Sequence, residues 1–371
     1  MYGSDRCLYE LVKRIDKTRF IPVIVLPFEG VLADRLRALG VTVYITDPWV
    51  LRKGVFRTLK LLPYMLMLPA VIFRLARIIR KEGITVVYSN TSVIVGAPLA
   101  AFLTRRPHIC HMRELYDSYP GLAPFYRSFL CLFSRKIIAI SNAVAAFVQK
   151  SCSNKTEVVY DGIALERFTG STGKIPAGLS EWKKQNRTIV SNIGRVSPIK
   201  GQELFIDAAH ECIKSDGNLR FLIIGSIFKG NEQFMQGLQD RAAAYGMQEM
   251  LTFTGFRNDV DDFMTGSDII VVSTVITEGL GQVVMEGMAA GKVVIAPDKG
   301  GPVELIEDGT DGILYRAGNR DALAQAIIKT AGDPALRKSI GETAKSKAEK
   351  EFGIQGNIDT IQEVLRETAN H

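Results

Sequence analysis

The sequence predicts an α/β protein built from two doubly wound, parallel-sheet domains in tandem. Three observations carry this expectation. Short runs rich in Val, Ile and Tyr recur along the whole chain with helix-like stretches between them, the alternation that feeds a parallel sheet. The series begins afresh at TIVSNIGR (188–195), just after a polar stretch at 169–187. At 371 residues, 47% apolar and 23% charged, the chain is long enough for two ordinary domains and too apolar to be disordered.

The chain opens on MYGSDRCLYELVKRI, where Ser4 or Asp5 reads as the N-cap of a helix with Leu8, Leu11, Val12 and Ile15 on its apolar face. A strand normally precedes the first helix of a doubly wound domain, so that strand is expected either to be missing from this sequence or to be dispensed with by the domain. IPVIVLPF (21–28), VTVYIT (41–46), TVVYSN (85–90), PHICHM (107–112), KIIAIS (136–141) and TEVVYD (156–161) follow as strands of the first domain. After residue 188 come LRFLIIG (219–225), LTFTGF (251–256), DIIVVS (268–273), KVVIAP (292–297) and GILY (312–315). Such β-branched runs suit strands buried on both faces. Residues 333–351 and 355–368 read as helices with no strand between them. The expected domains are 1–165 and 166–352, both Rossmann-like, with 353–371 a C-terminal helix returning to the first.

The net charge of +7 is unevenly placed. Residues 1–160 hold 23 Lys/Arg against 10 Asp/Glu, while the remainder holds 23 against 29. Eight of the cations lie in 49–81, which has no acidic residue. Its apolar centre, Leu61 to Phe73, is thirteen residues with two prolines, against about 20 for a membrane span. It reads either as a helix lying on an anionic membrane surface or as a core helix with solvated arginines. No nucleic-acid-binding motif accompanies the basic surface. The five cysteines are scattered with no C-x-x-C pair, so neither a disulfide framework nor a zinc site is expected. With no signal peptide expected, this fits a reducing cytoplasm.

TEGLGQVVMEGMAAG (277–291) places two glutamates, Glu278 and Glu286, in an apolar, glycine-punctuated stretch between two buried strands. Gln282 to Ala290 is expected to be a compact helix with Gly291 just past its end. Glu278 then lies in the loop before it, and Glu286 within it. Gly279 and Gly281 leave backbone amides exposed at a helix start, which suits an anion. The carboxylates suit hydroxyl donors, so a hydroxyl-rich diphosphate would satisfy both. Alternatively, Glu278 is a helix-dipole partner and Glu286 a partly exposed helix residue. GRVSPIKG (194–201) ends a strand and delivers Arg195 and Lys200 to its carboxyl end, where phosphates bind in doubly wound folds. It is neither a dinucleotide fingerprint nor a P-loop.

Together these segments resemble the retaining, GT-B-fold glycosyltransferases of family 4, over nearly the whole chain. TEGLGQVVMEGMAAGKVVIAPDKGGPVELI is similar to the family's E-x7-E signature with its following Gly-Gly loop, and GRVSPIKG to its phosphate-binding motif. VVYDGIALERF (158–168) resembles the interdomain segment, which usually has Asn where this chain has Asp161.

The resemblance implies two Rossmann-like domains facing a central cleft and sugar transfer from a nucleotide-sugar, UDP- or GDP-linked, with no metal or other cofactor. It implies that Gly194, Arg195 and Lys200 meet the diphosphate, and that Glu286 binds the ribose. Glu278 would hold the transferred sugar, with amides of Gly279, Leu280 and Gly281 nearby. Phe256 and Arg257 in TGFRNDV would line the base, and Gly3 and Ser4 would approach the diphosphate. His111 in HMRE would reach the donor sugar and acceptor, with His108 a rival. The expected acceptor is a lipid-linked or surface-polysaccharide glycan, taken by a peripheral protein at the inner face of the plasma membrane. A nucleotide-sugar epimerase of the same fold, or a catalytically silent sugar-nucleotide- or membrane-binding protein, are the alternatives.

Overall fold

A computed structural model describes residues 3–51, 61–115, 123–169, 176–227 and 230–370. The chain divides into two compact units, Met1–Gly162 with Gln355–His371, and Ile163–Ile354. Each of the twelve β-branched runs contains a strand, and every pairing between strands is parallel.

In the unit Ile163–Ile354 the strands are β7 (Thr188–Ile193), β8 (Leu219–Ile224), β9 (Leu251–Gly255), β10 (Ile269–Val271), β11 (Val293–Pro297) and β12 (Ile313–Tyr315). They form one sheet in the order β12-β11-β10-β7-β8-β9. The register sets Val190 between Ile269 on one side and Phe221 on the other. Helices cover the sheet, so β10 and β11 are buried along their whole length. Phe221 meets Phe205 of the helix Gln202–Ser215 edge to face, centroids 5.8 Å apart, and both are fully buried. Burial of each such ring contributes about 1.5–3 kcal/mol. The polar stretch 169–187 is not simply a connector, because Ala177–Lys184 is helical and sinks Leu179 beneath the sheet with Ile189, Leu222 and Phe263.

In the other unit the strands are β1 (Val23–Leu26), β2 (Thr42–Ile45), β3 (Val87–Ser89), β4 (His108–Met112), β5 (Lys136–Ala139) and β6 (Thr156–Val158). They fall into two sheets, β1-β2 and β3-β4-β5-β6. Among the described residues no strand precedes the first helix, Gly3–Arg14. Gly3 is already helical, which leaves Ser4 and Asp5 in the first turn and not at the cap. It buries Leu11 and Val12, the latter in a small core with Leu26, Ala33 and Leu36. The helix Ile354–Ala369 anchors to this unit through Gln362, whose side chain accepts from the Asp16 backbone amide at 2.8 Å.

Two expectations need amendment. Cys131 and Cys152 form a disulfide, with Cα atoms 5.8 Å apart. The helices Ala123–Phe133 and Asn142–Cys152 pack side by side and bring their ends together, a proximity that cysteine spacing cannot reveal. Part of the basic segment, 52–60, lies outside the described residues. Its remainder forms the helices Leu61–Leu66 and Leu68–Lys81. The second of these has both a buried face of Val71, Leu75, Ala76 and Ile79 and an exposed one bearing Phe73, Arg77 and Arg80.

Candidate functional site

In the unit Ile163–Ile354 the strand order reverses between β7 and β10, since β8 and β9 run outward on one side and β11 and β12 on the other. Ligands of doubly wound sheets bind at this switch point, beyond the carboxyl ends of the strands. The loops that leave it are residues 194–201 and 272–281. They are stitched together by hydrogen bonds to the backbone carbonyls of the first loop. The Ser273 hydroxyl donates to the Lys200 carbonyl at 2.9 Å, and the Val275 amide donates to the Ile199 carbonyl at 3.1 Å. Gly201 makes this approach feasible: a Cβ there would lie 2.0 Å from the Ser273 carbonyl oxygen, and its φ is +65°. Gln202 closes the turn from within, donating to the Arg195 carbonyl at 3.1 Å and accepting from the Ser197 amide at 3.3 Å.

The result brings Lys200 and Glu278 into a direct ion pair, with the Thr274 hydroxyl donating to the same carboxylate at 2.6 Å. The Gly300–Gly301 turn backs this loop, the Gly301 amide donating to the Glu278 carbonyl at 3.0 Å. Gly281 then caps the helix Gln282–Ala289, and Leu280 is buried beside it.

Glu286 is buried on that helix, at 9% exposure, and accepts from Arg167 Nη1 at 2.8 Å. Arg167 also donates through Nε to Asp261 at 3.0 Å. Burial opposes the Arg167 charge, but its hydrogen bond to Asp261 and the attraction of Glu286 and Asp261 outweigh it and raise the pKa. Arg167 is a site residue that sequence reasoning passed over. The signal lay within ALERF, where it is the lone cation. Arg195 and Gly194 lie on the loop after β7, as expected. Phe256 and Arg257 follow β9, two strands away from the switch point. Phe256 is exposed, and Arg257 is engaged with Asp259 at 2.8 Å.

On the other unit, β4 carries both histidines, three residues apart and therefore on opposite faces. His108 has both ring nitrogens engaged, Nε2 with the Ser89 hydroxyl at 2.9 Å and Nδ1 with the Ser134 hydroxyl at 3.1 Å. Burial pushes its pKa down to about 3, the environment of a satisfied core residue. His111 is fully buried too, but its Nε2 has no hydrogen-bond partner among the described residues. Burial and the adjacent Arg113 hold its pKa well below the ordinary value. Its Nδ1 contacts the Tyr88 hydroxyl and lies 3.4 Å from Arg113 Nη2. Arg113 is in turn paired with buried Asp161, Nη1 to Oδ1 2.7 Å. Gly3 and Ser4 sit in the first turn of their helix, where the Ser4 carbonyl accepts from the Asn90 side chain at 3.1 Å.

Comparison with known proteins agrees with this architecture. The model of the Glycosyltransferase Family 4 domain matches residues 2–167, and that of Glycosyl transferases group 1 matches residues 180–347. The chain is 26% identical to an uncharacterized glycosyltransferase of Methanocaldococcus jannaschii over 79% of its own length and 78% of the relative's. It is 27% identical to the lipopolysaccharide core biosynthesis mannosyltransferase LpcC of Rhizobium leguminosarum, covering 73% of this chain and 74% of that one. The crystal structure of Anabaena HepE in complex with UDP superposes with a TM-score of 0.83 at 23% identity, covering 99% of this chain and 96% of that chain, which establishes the shared fold. The Glycosyltransferase Family 4 model over one unit and the Glycosyl transferases group 1 model over the other place the chain among the glycosyltransferases, with the GT-B fold that the neighbouring structure shares.

Proposed function

We propose that the protein transfers a sugar from a nucleotide-sugar, with retention at the anomeric carbon and without a metal ion, to a hydroxyl of a lipid-linked or surface-polysaccharide glycan. The observation that carries this reading is the juxtaposition of Lys200 with Glu278 at the switch point, directly before the helix that holds Glu286. In the resting chain Lys200 neutralises Glu278. A donor diphosphate would draw the ammonium group to itself, leaving the carboxylate to accept hydroxyls of the sugar. Arg195, on the neighbouring loop, and the amides of residues 279–282 would add to the positive field. Charge accumulating on the departing diphosphate is then met by groups already in place, which lowers the barrier without reorganisation. Glu286 would accept from the ribose hydroxyls, with Arg167 and Asp261 holding it in position.

HepE was crystallised with UDP and with UDP-glucose, which makes a UDP-sugar the first donor to test and a GDP-sugar the second. Glu278 is paired with Lys200 in the resting chain, and with donor bound it keeps the Thr274 hydroxyl and is assigned to hydroxyls of the sugar. This favours front-face attack assisted by the leaving phosphate over a covalent glycosyl-enzyme. His111, on the unit assigned to the acceptor, would contribute a hydrogen bond to a substrate oxygen.

The relative LpcC is named for lipopolysaccharide core synthesis, which favours a surface-glycan acceptor. Among the described residues no helix is long and apolar enough to cross a membrane. Leu66 at 72% and Phe73 at 66% exposure, near Arg77 and Arg80, favour docking on an anionic membrane at its cytoplasmic face. A basic face with exposed apolar side chains lies in such an interface through both charge and burial.

The test is turnover of UDP- and GDP-sugars with a panel of glycan and lipid-linked acceptors, in the presence of EDTA, followed by NMR of the product. A product with the donor's anomeric configuration, formed despite EDTA, is the expected result. An inverted product contradicts the stereochemistry, and an epimerised sugar-nucleotide formed without acceptor replaces the transferase reading. Equal sedimentation with anionic and neutral liposomes would remove the membrane.

A further inference from the structure

We propose that Tyr88 and Arg113 are positioning residues that hold His111 in its Nε2–H tautomer, so that it meets substrate as a hydrogen-bond donor and not as a base. The proposal deepens the role given to His111 above and rests on it. The two ring nitrogens of His111 stand in different surroundings. Nδ1 faces the Tyr88 hydroxyl and the Arg113 guanidinium, 3.4 Å away, while Nε2 is buried without a partner among the described residues.

A guanidinium carries donors only, so a proton on Nδ1 would set one N–H against another beside a fixed cation. Burial keeps the Tyr88 phenol protonated, so it too has a hydrogen to donate. Nδ1 is therefore the acceptor of both, and the ring proton belongs on Nε2. A second ring proton is opposed by burial and by the same cation.

Arg113 cannot swing away from this arrangement easily. Its Nη1 donates to Asp161, its Nε to the Asn90 carbonyl at 3.1 Å, and its Nη2 to the Asn90 side-chain oxygen at 3.3 Å. Asp161 supplies the charge that lets this buried arginine stay ionised. Cys7, on the first helix, also acts electrostatically on both Tyr88 and Arg113, and Cys110 acts on Tyr88. The resulting geometry offers one buried N–H to an oxygen acceptor, the class that includes sugar hydroxyls and phosphate oxygens. With its lone-pair nitrogen turned inward, His111 is not disposed to remove the acceptor's proton.

The experiment uses the full chain labelled with 15N-histidine, which has only four histidines, His108, His111, His210 and His371. Multiple-bond 1H–15N correlation spectra report the tautomer of each ring, and His111→Gln identifies the His111 signals. The expected spectrum shows neutral His111 protonated on Nε2 at about pH 7. In Tyr88→Phe the Nδ1–H form gains population, and kcat/KM falls in step with the lost Nε2–H fraction, about threefold or more. An Nδ1–H or doubly protonated His111 in the parent chain overturns the tautomer assignment, whatever the activity. A tautomer shift in Tyr88→Phe with unchanged kcat/KM overturns the positioning role. Full activity in His111→Gln overturns the substrate role of His111 on which the proposal rests, and it does so independently of the spectra.

Discussion

Replacing Glu286 by Gln exchanges one buried carboxylate oxygen for an amide and keeps the shape of the side chain. The structure allows the consequence to be worked out. The amide oxygen can still accept from Arg167, and Arg167 keeps Asp261, so no cation is left buried alone. Loss of the charge in a pair this enclosed, with side chains 12% and 18% exposed, should cost the resting fold about 1 kcal/mol. Nucleotide binding should suffer more. A hydrogen bond to a charged group contributes about 1.5–3 kcal/mol and a neutral one about 0.5–1.5 kcal/mol. Two ribose hydroxyls that exchange the first kind for the second lose about 2–3 kcal/mol together, or about 30- to 150-fold in Kd. Isothermal titration with UDP and GDP, beside a melt without ligand, measures both quantities. A variant that melts with its parent and binds the nucleotide within twofold would refute the assignment of Glu286 to the ribose.

Three further perturbations have defined outcomes. Lys200→Ala should lower kcat/KM by about 10²-fold or more, the size of effect seen when one transition-state charge contact is removed; unchanged steady-state kinetics would end its diphosphate role. Below about pH 6.5 the unfolded chain takes up protons that buried His108, with its pKa near 3, refuses. Stability should therefore be fully present above that pH and decline on acidification, by up to about 1.4 kcal/mol per pH unit for that residue, with His111 acting in the same direction. Urea titrations showing no loss between about pH 7 and 5 would contradict the buried, neutral state. Reducing Cys131–Cys152, which are 21 residues apart, should cost about 3 kcal/mol in the chain-entropy account. A melting curve insensitive to dithiothreitol would show that the bond does not hold the helices Ala123–Phe133 and Asn142–Cys152 together.

The strands were legible because parallel strands are buried on both faces, and DIIVVS or KVVIAP admit no helical period. The switch-point residues were legible because short loops carry them: Lys200 and Glu278 each sit within a few residues of a readable strand end. Contacts between distant segments were not. Arg167 meets Glu286 across 119 residues, and Arg113 meets Asp161 across 48, distances at which sequence pattern carries no pairing information. His111 and His108 could not be told apart by spacing, since both end up buried on one strand. What separates them is that Ser89 and Ser134 occupy His108 completely while His111 keeps one nitrogen without a partner among the described residues. The division of the first unit into two sheets follows from which strands find neighbours in space, and local composition is silent on that.

The claim on which the rest depends is that the switch point of the unit Ile163–Ile354 binds a nucleoside diphosphate. A thermal-shift titration of the chain with UDP, GDP and ADP, with Glu286→Gln alongside, tests it most directly. Ligand at about 100 times its Kd adds about 2.7 kcal/mol of stability. The account predicts a rise in Tm with UDP or GDP that the variant largely loses. A folded protein whose Tm none of the three nucleotides moves would contradict it.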